Sequence, residues 1–222
     1  MTSEVMAGHP PGYAGERPTG TDTSIEARHL PYVESRVGHH GGMEQLSSRT
    51  IYTNPWMRLR EDTIRRSDGS VGIYAVVDKV DWAMVIPFDG AGFHLVEQYR
   101  YPLGERYWEF PAGTPPQGTA PSPLELAHNE LREETGLRAG RMTPLGILAT
   151  APASTSQRGH CFLATDLTPG EPQREPEEQD MRTAWFSRAQ FEAMILRGEI
   201  IDAHAVAGYG LLLMHERGLS SP

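Results

Sequence analysis

The chain has 222 residues, 38% of them hydrophobic, which suits one domain with extensions or two small domains and provides material for a core. A formal net charge of −9 argues against a nucleic-acid backbone as partner, which needs a cationic face. No apolar stretch approaches the roughly 18 residues needed to span a bilayer, so no membrane partner is expected. The first twenty residues carry Gly, Pro and Glu in place of a signal-peptide core, and the lone Cys161 excludes an internal disulfide, so a cytoplasmic protein is expected.

Residues 1–47 are rich in Gly, Pro, His and small polar residues without periodicity, and read as a disordered tail. His39-His40, with no Cys or acidic cluster beside it, reads as a solvated pair. A single domain is expected over 48–217, followed by a short tail at 218–222. Its first part, 48–80, is strand-like: Ile51 to Thr53, Trp56 to Arg66 and Val71 to Asp78 alternate in part, with a hairpin turn at Ser67-Asp68-Gly69. Trp82 to Phe88 is mostly apolar and predicts a buried central strand. Asp89-Gly90-Ala91-Gly92 turns the chain into a strand from Phe93 to Tyr101.

A Gly/Pro-rich loop from Gly113 to Pro121 precedes a helix. Ser122 is its N-cap, Pro123 takes the first helical position and Glu125 completes a capping box. Leu124, Ala127 and Leu131 give an apolar stripe, and Gly136 ends the helix. Strands are expected near 142–150, 159–167 and 181–186, with Cys161 a buried strand residue. Ser187 and Asp202 cap two closing helices.

The most informative run is Asn129-Glu130-Leu131-Arg132-Glu133-Glu134-Thr135-Gly136-Leu137. Positions 130, 133 and 134 are spaced i, i+3 and i+4, so three carboxylates project from one side of the helix. Like charges at that spacing repel. A hard divalent cation such as Mg²⁺ or Mn²⁺ would relieve the repulsion; the bland alternative is a solvated acidic face.

With Glu97-Gln98-Tyr99-Arg100-Tyr101-Pro102 and Glu109-Phe110-Pro111-Ala112-Gly113 upstream, in that order, this run resembles the Nudix hydrolase family, in its ADP-ribose pyrophosphatase branch. The family box reads G-x(5)-E-x(7)-R-E-U-x-E-E-x-G-U, with U a bulky apolar residue. Gly113 resembles its opening glycine. Two departures stand out. Asn129 replaces the box arginine, which orients the glutamates through charge-assisted hydrogen bonds. The first box glutamate is missing, and Pro121 falls at its position.

The resemblance implies an α/β fold, an α/β/α sandwich on a mixed sheet, with the N-terminal strands an antiparallel extension that pairs across a homodimer. Ile73, Ala75 and Val77 would otherwise form an exposed apolar edge. It implies Mg²⁺ or Mn²⁺ held by Glu130, Glu134 and the carbonyl of Ala112, with Glu133 a further metal ligand or a partner of one, and Glu133 and Glu134 catalytic. The general base is expected from the acidic loop at 175–180, Glu177 first and Glu178 second. Arg100 would clamp phosphate or ribose, with Glu109 beside the substrate. The branch carries a proline about fifteen residues past the box, matched by Pro152, and a glutamate a few residues later, where this chain has Gln157; both are candidate substrate-binding residues. The implied reaction is hydrolysis of ADP-ribose or a related nucleoside diphosphate sugar, from ADP-ribose to AMP and ribose 5-phosphate. A Nudix-fold nucleotide sensor that does not hydrolyse is the alternative, and a sanitiser of oxidised nucleoside triphosphates fits less well.

Overall fold

The structure, a computed structural model, describes residues 42–116, 118–174 and 178–219. It opens with an antiparallel sheet in the order β1-β2-β3, with β1 over Met43–Thr53, β2 over Arg58–Arg66 and β3 over Val71–Asp78. At the β2–β3 turn, Asp68 Oδ1 accepts from the Ser70 N–H at 2.9 Å and Gly69 takes a φ of 82°. The tail boundary expected after residue 47 falls inside β1 and is corrected to Met43. Every residue of β1 is exposed, so no burial alternation marks it. Pairing with β2 holds it, with ion pairs Arg65–Glu44 at 2.6 Å and Arg49–Glu61 at 2.9 Å. The rest of the expected tail, with His39-His40, lies outside the described residues.

Two further sheets form the core domain. β4 (Trp82–Pro87) runs parallel to β9 (Arg158–Thr168) and antiparallel to β7 (Ala112–Gly113), and β9 pairs antiparallel with β8 (Arg138–Ala149). The other sheet joins β10 (Arg182–Ser187), β5 (Gly92–Arg100) and β6 (Glu105–Glu109) in that order. β4 is apolar throughout because both of its faces are covered. Ala83 and Val85 pack with Phe162 and Ala164 beneath helix α1 (Pro123–Thr135). Trp82, Met84 and Ile86 face the opposite way, into a core shared with the β10-β5-β6 sheet and helices α2 (Arg188–Arg197) and α3 (Ala203–Glu216). There Phe93 packs against Phe110, Phe191 and Tyr209 with ring centroids 5.0 to 5.8 Å apart. The fold is thus mixed α/β with helices on both sides of a mixed sheet, as expected from the sequence. β6 is not among the expected strands; its register is set by β5 across the turn at 101–104.

One local feature fixes the helix of the site, and another ties the N-terminal sheet to the core domain. Ser122 Oγ accepts from the Glu125 N–H at 3.2 Å while Glu125 accepts from the Ser122 N–H at 2.8 Å, which fixes the start of α1. The β8–β9 loop folds back on β3: the Val77 N–H donates to the Ser154 carbonyl and the Tyr74 hydroxyl to the Ala153 carbonyl, both at 2.8 Å. No helix among the described residues is long and apolar enough to cross a membrane.

Candidate active site

Leu126, Ala127 and Leu131 bind α1 to the sheet, which turns its acidic stripe toward a cavity of about 310 Å³. Asn129, Glu130, Glu133 and Glu134 form its helical wall. Gln98 and Arg100 of β5 face them, Ala112 and Gly113 of β7 lie between, and Glu178 contributes from the acidic loop.

Glu134 is the deepest of these carboxylates, 1% exposed. Its Oε2 accepts from the Ala112 N–H at 3.2 Å, and its Oε1 is buried without a hydrogen-bond partner. Burial, with Glu130 and Glu178 nearby, holds its carboxyl well above the usual carboxylate range. Glu130, one turn earlier, is also buried. A Cβ added at Gly113 would stand 2.5 Å from both Glu130 carboxylate oxygens, so glycine lets that carboxylate keep its place. Glu133 is half-buried and accepts from Arg132 Nη2 at 2.6 Å.

Arg100 is held by Glu109. Its Nε donates to Glu109 Oε1 at 2.8 Å and its Nη2 to Glu109 Oε2, a bidentate pair. That pairing raises the guanidinium pKa further above its ordinary value, with smaller help from Asp202 and Glu134. Glu109 itself is buried and does not line the cavity. The described residues Gln173 and Asp180, on either side of the acidic loop, are tied down. The Gln173 N–H donates to the Glu133 carbonyl at 2.9 Å. Arg106 donates to the Asp180 carboxylate at 2.6 Å and to its carbonyl at 2.8 Å. Glu177 lies outside the described residues.

Pro152 and Gln157 are not brought to this cavity. Pro152 sits exposed in the turn that docks on β3. Gln157 is 3% exposed, and its Nε2 donates to the Val80 carbonyl at 2.6 Å, which braces the chain entering β4. Cys161 is buried in β9, and burial, with Asp202 nearby, pushes its thiol up to about 12, so it offers no thiolate.

The donor set fits a hard cation. Glu134 Oε1 is buried and unpartnered, Glu130 and Glu134 lie on one stripe, and oxygen is the ligand type such ions take. Among the described residues no three acidic, imidazole or thiol side chains converge closely enough to hold an ion by themselves. Mg²⁺ is usually held by one or two carboxylates, with phosphate oxygens and water completing its shell.

Residues 79–208 match the NUDIX domain. The chain belongs to the Nudix hydrolase family. Residues 43–77 match the nucleoside diphosphate sugar hydrolase N-terminal domain, which corresponds to the β1-β2-β3 sheet. The chain is 36% identical over 167 residues to an ADP-ribose pyrophosphatase of Mycobacterium tuberculosis, covering 74% of this chain and 80% of that one. It is 32% identical over 117 residues to an ADP-ribose pyrophosphatase of Bacillus subtilis, covering 53% of this chain and 56% of that one. The fold matches the crystal structure of an ADP compounds hydrolase with a TM-score of 0.69 at 20% identity, over 81% of this chain and 97% of that one. With these relatives the chain is a Nudix pyrophosphohydrolase.

Asn129, Glu130, Glu133 and Glu134 of α1 all lie within the residues that match the NUDIX domain. Gln98 was not singled out from the sequence. Its signal was present, since it sits two residues before Arg100 and so shares a face of β5. The Arg132–Glu133 bond had no such signal, because adjacent helical residues do not ordinarily face each other.

Proposed function

We propose that this enzyme hydrolyses the pyrophosphate bond of ADP-ribose or a related nucleoside diphosphate sugar, giving a nucleoside monophosphate and a sugar phosphate, with Mg²⁺ or Mn²⁺ as cofactor. The observation that carries the reading is Glu134, buried beside Glu130 with one oxygen unpartnered at a cavity of about 310 Å³. Glu130, Glu134 and the Ala112 carbonyl would hold the cation, with Glu133 next to them. When bound, it supplies charge neutralisation at the diphosphate and acidification of water. Arg100 binds and orients the diphosphate with the donors that Glu109 leaves unused. The proton of the attacking water goes to a carboxylate of the acidic loop, Glu177 or Glu178; Glu178 lines the cavity, which supports it. Pro152 and Gln157 act on the substrate indirectly, through the loop braced between β3 and β4.

The enzyme works as a homodimer through the N-terminal sheet. Ile73 is 67% exposed on β3, and Ile51, Tyr52 and Val71 are exposed with it, a surface that a second copy would cover. Asn129 favours a second reading, a Nudix-fold nucleotide sensor. AMP release from ADP-ribose and two hexose nucleoside diphosphates, with Mg²⁺ and with Mn²⁺, separates the two. Turnover of at least one compound is expected; tight binding without turnover under either metal would favour the sensor. A monomeric mass in solution scattering would remove the dimer.

A further inference from the structure

We infer that Arg132 is the positioning residue that orients Glu133 in this enzyme, taking over a task that Asn129 cannot perform. The inference rests on the reading of Glu133 as part of the metal site. Asn129 and Glu133 stand i, i+4 on α1 and both line the cavity, so a cation at 129 would lie against the Glu133 carboxylate. Asn129 carries none, and among the described residues no hydrogen bond joins the two side chains. The charge-assisted bond to Glu133 comes instead from Arg132 Nη2, at 2.6 Å to Oε1. Both partners are half-buried, with side-chain exposures of 35% and 29%, so solvent screens the pair only in part.

Arg132 is also partly desolvated. Its Nε is buried without a hydrogen-bond partner, while Nη2 reaches Glu133. A buried donor without a partner costs free energy, so the bond to Glu133 is made at the expense of Nε solvation. The competing role is structural. A cation in the last turn of α1 favours the carboxyl end of the helix dipole. The two roles differ in one respect. An arginine placed one turn earlier, at 129, could take over Glu133, but it stands too far from the helix end to serve the dipole.

The experiment is a double-variant cycle read by Mn²⁺ titration with electron paramagnetic resonance, without substrate, alongside thermal unfolding of each protein. Loss of a partner that orients a metal ligand typically weakens metal affinity about 10- to 100-fold. Arg132→Gln should weaken Mn²⁺ binding about 10-fold. In the Asn129→Arg background the same change should cost less than about 3-fold. Arg132→Lys, which keeps a charge but loses the planar fork, should fall between parent and Arg132→Gln, and it replaces Arg132→Gln in the cycle if that variant does not fold. Equal losses in both backgrounds would assign Arg132 to the helix end and overturn the inference. Glu133→Gln separates the underlying reading. Parent-like Mn²⁺ affinity there would overturn the metal role of Glu133 and this inference with it. Weakened affinity in Glu133→Gln with parent-like affinity in Arg132→Gln would overturn this inference alone.

Discussion

The two ends of helix α1 follow opposite rules. At the amino end every local preference is met: Ser122 and Glu125 satisfy each other's backbone N–H groups, and Pro123 occupies a position where no N–H is needed. At the carboxyl end two acids are buried on one stripe, one with an unpartnered oxygen, and a third stands next to them. Thirteen residues thus hold a stabilising device and a destabilised one. The first turn anchors the helix so that the last turns can carry charges that a free helix would expel.

The sharpest test of that contrast is Glu134→Gln. It keeps the shape and removes the charge a cation needs, so turnover should fall by at least about 10²-fold, as expected for a metal-site partner. In metal-free buffer the same variant should unfold at higher urea than the parent, because it removes a buried carboxylate. Loss of both activity and stability would break the contrast.

The pH dependence follows from the same group. The folded-state pKa of Glu134 lies well above its ordinary 4.5. Below 4.5 the folded and unfolded states both hold the proton. Above it the unfolded state releases the proton first, so this group costs stability progressively as pH rises from 4.5 toward the folded value. Urea midpoints in EDTA should therefore show the parent losing ground to Glu134→Gln as pH rises, and saturating Mg²⁺ should return it.

Gln157→Glu puts a carboxylate where Gln157 now donates to the Val80 carbonyl. It loses the donor to the Val80 carbonyl and sets negative charge against it, so it should cost about 1–3 kcal/mol, measured by urea unfolding at neutral pH. Stability equal to the parent would mean that the loop re-packs and that buried acids are tolerated here without metal.

The smallest expected effect is at the amino end. Ser122→Ala removes the cap and should cost about 1 kcal/mol in unfolding, with turnover per folded molecule kept within about twofold. A large fall in turnover would mean that the two ends of α1 are not separable.

What the sequence disclosed follows the same division. The cap, the apolar stripe and the glycine stop of α1 lie within one short run, so local chemistry marks them. β1 is exposed along its whole length and owes its existence to β2, so no property of its own residues announces where it starts. The acids were legible from spacing, whereas the holding of Arg100 by Glu109 depends on two strands meeting. Gln157 was read as a contact to substrate because its position follows the box at a set distance. The fold turns it toward Val80, and sequence distance carries no such direction.

Gly113 has no left-handed backbone; what a side chain there would meet is the Glu130 carboxylate. The choices at positions 113 and 130 are therefore coupled through shared volume. A larger residue at 113 would push the Glu130 carboxylate aside unless residue 130 shortened with it. In a randomised library the two positions should be recovered as a pair, with acceptable choices at one set by the volume left at the other.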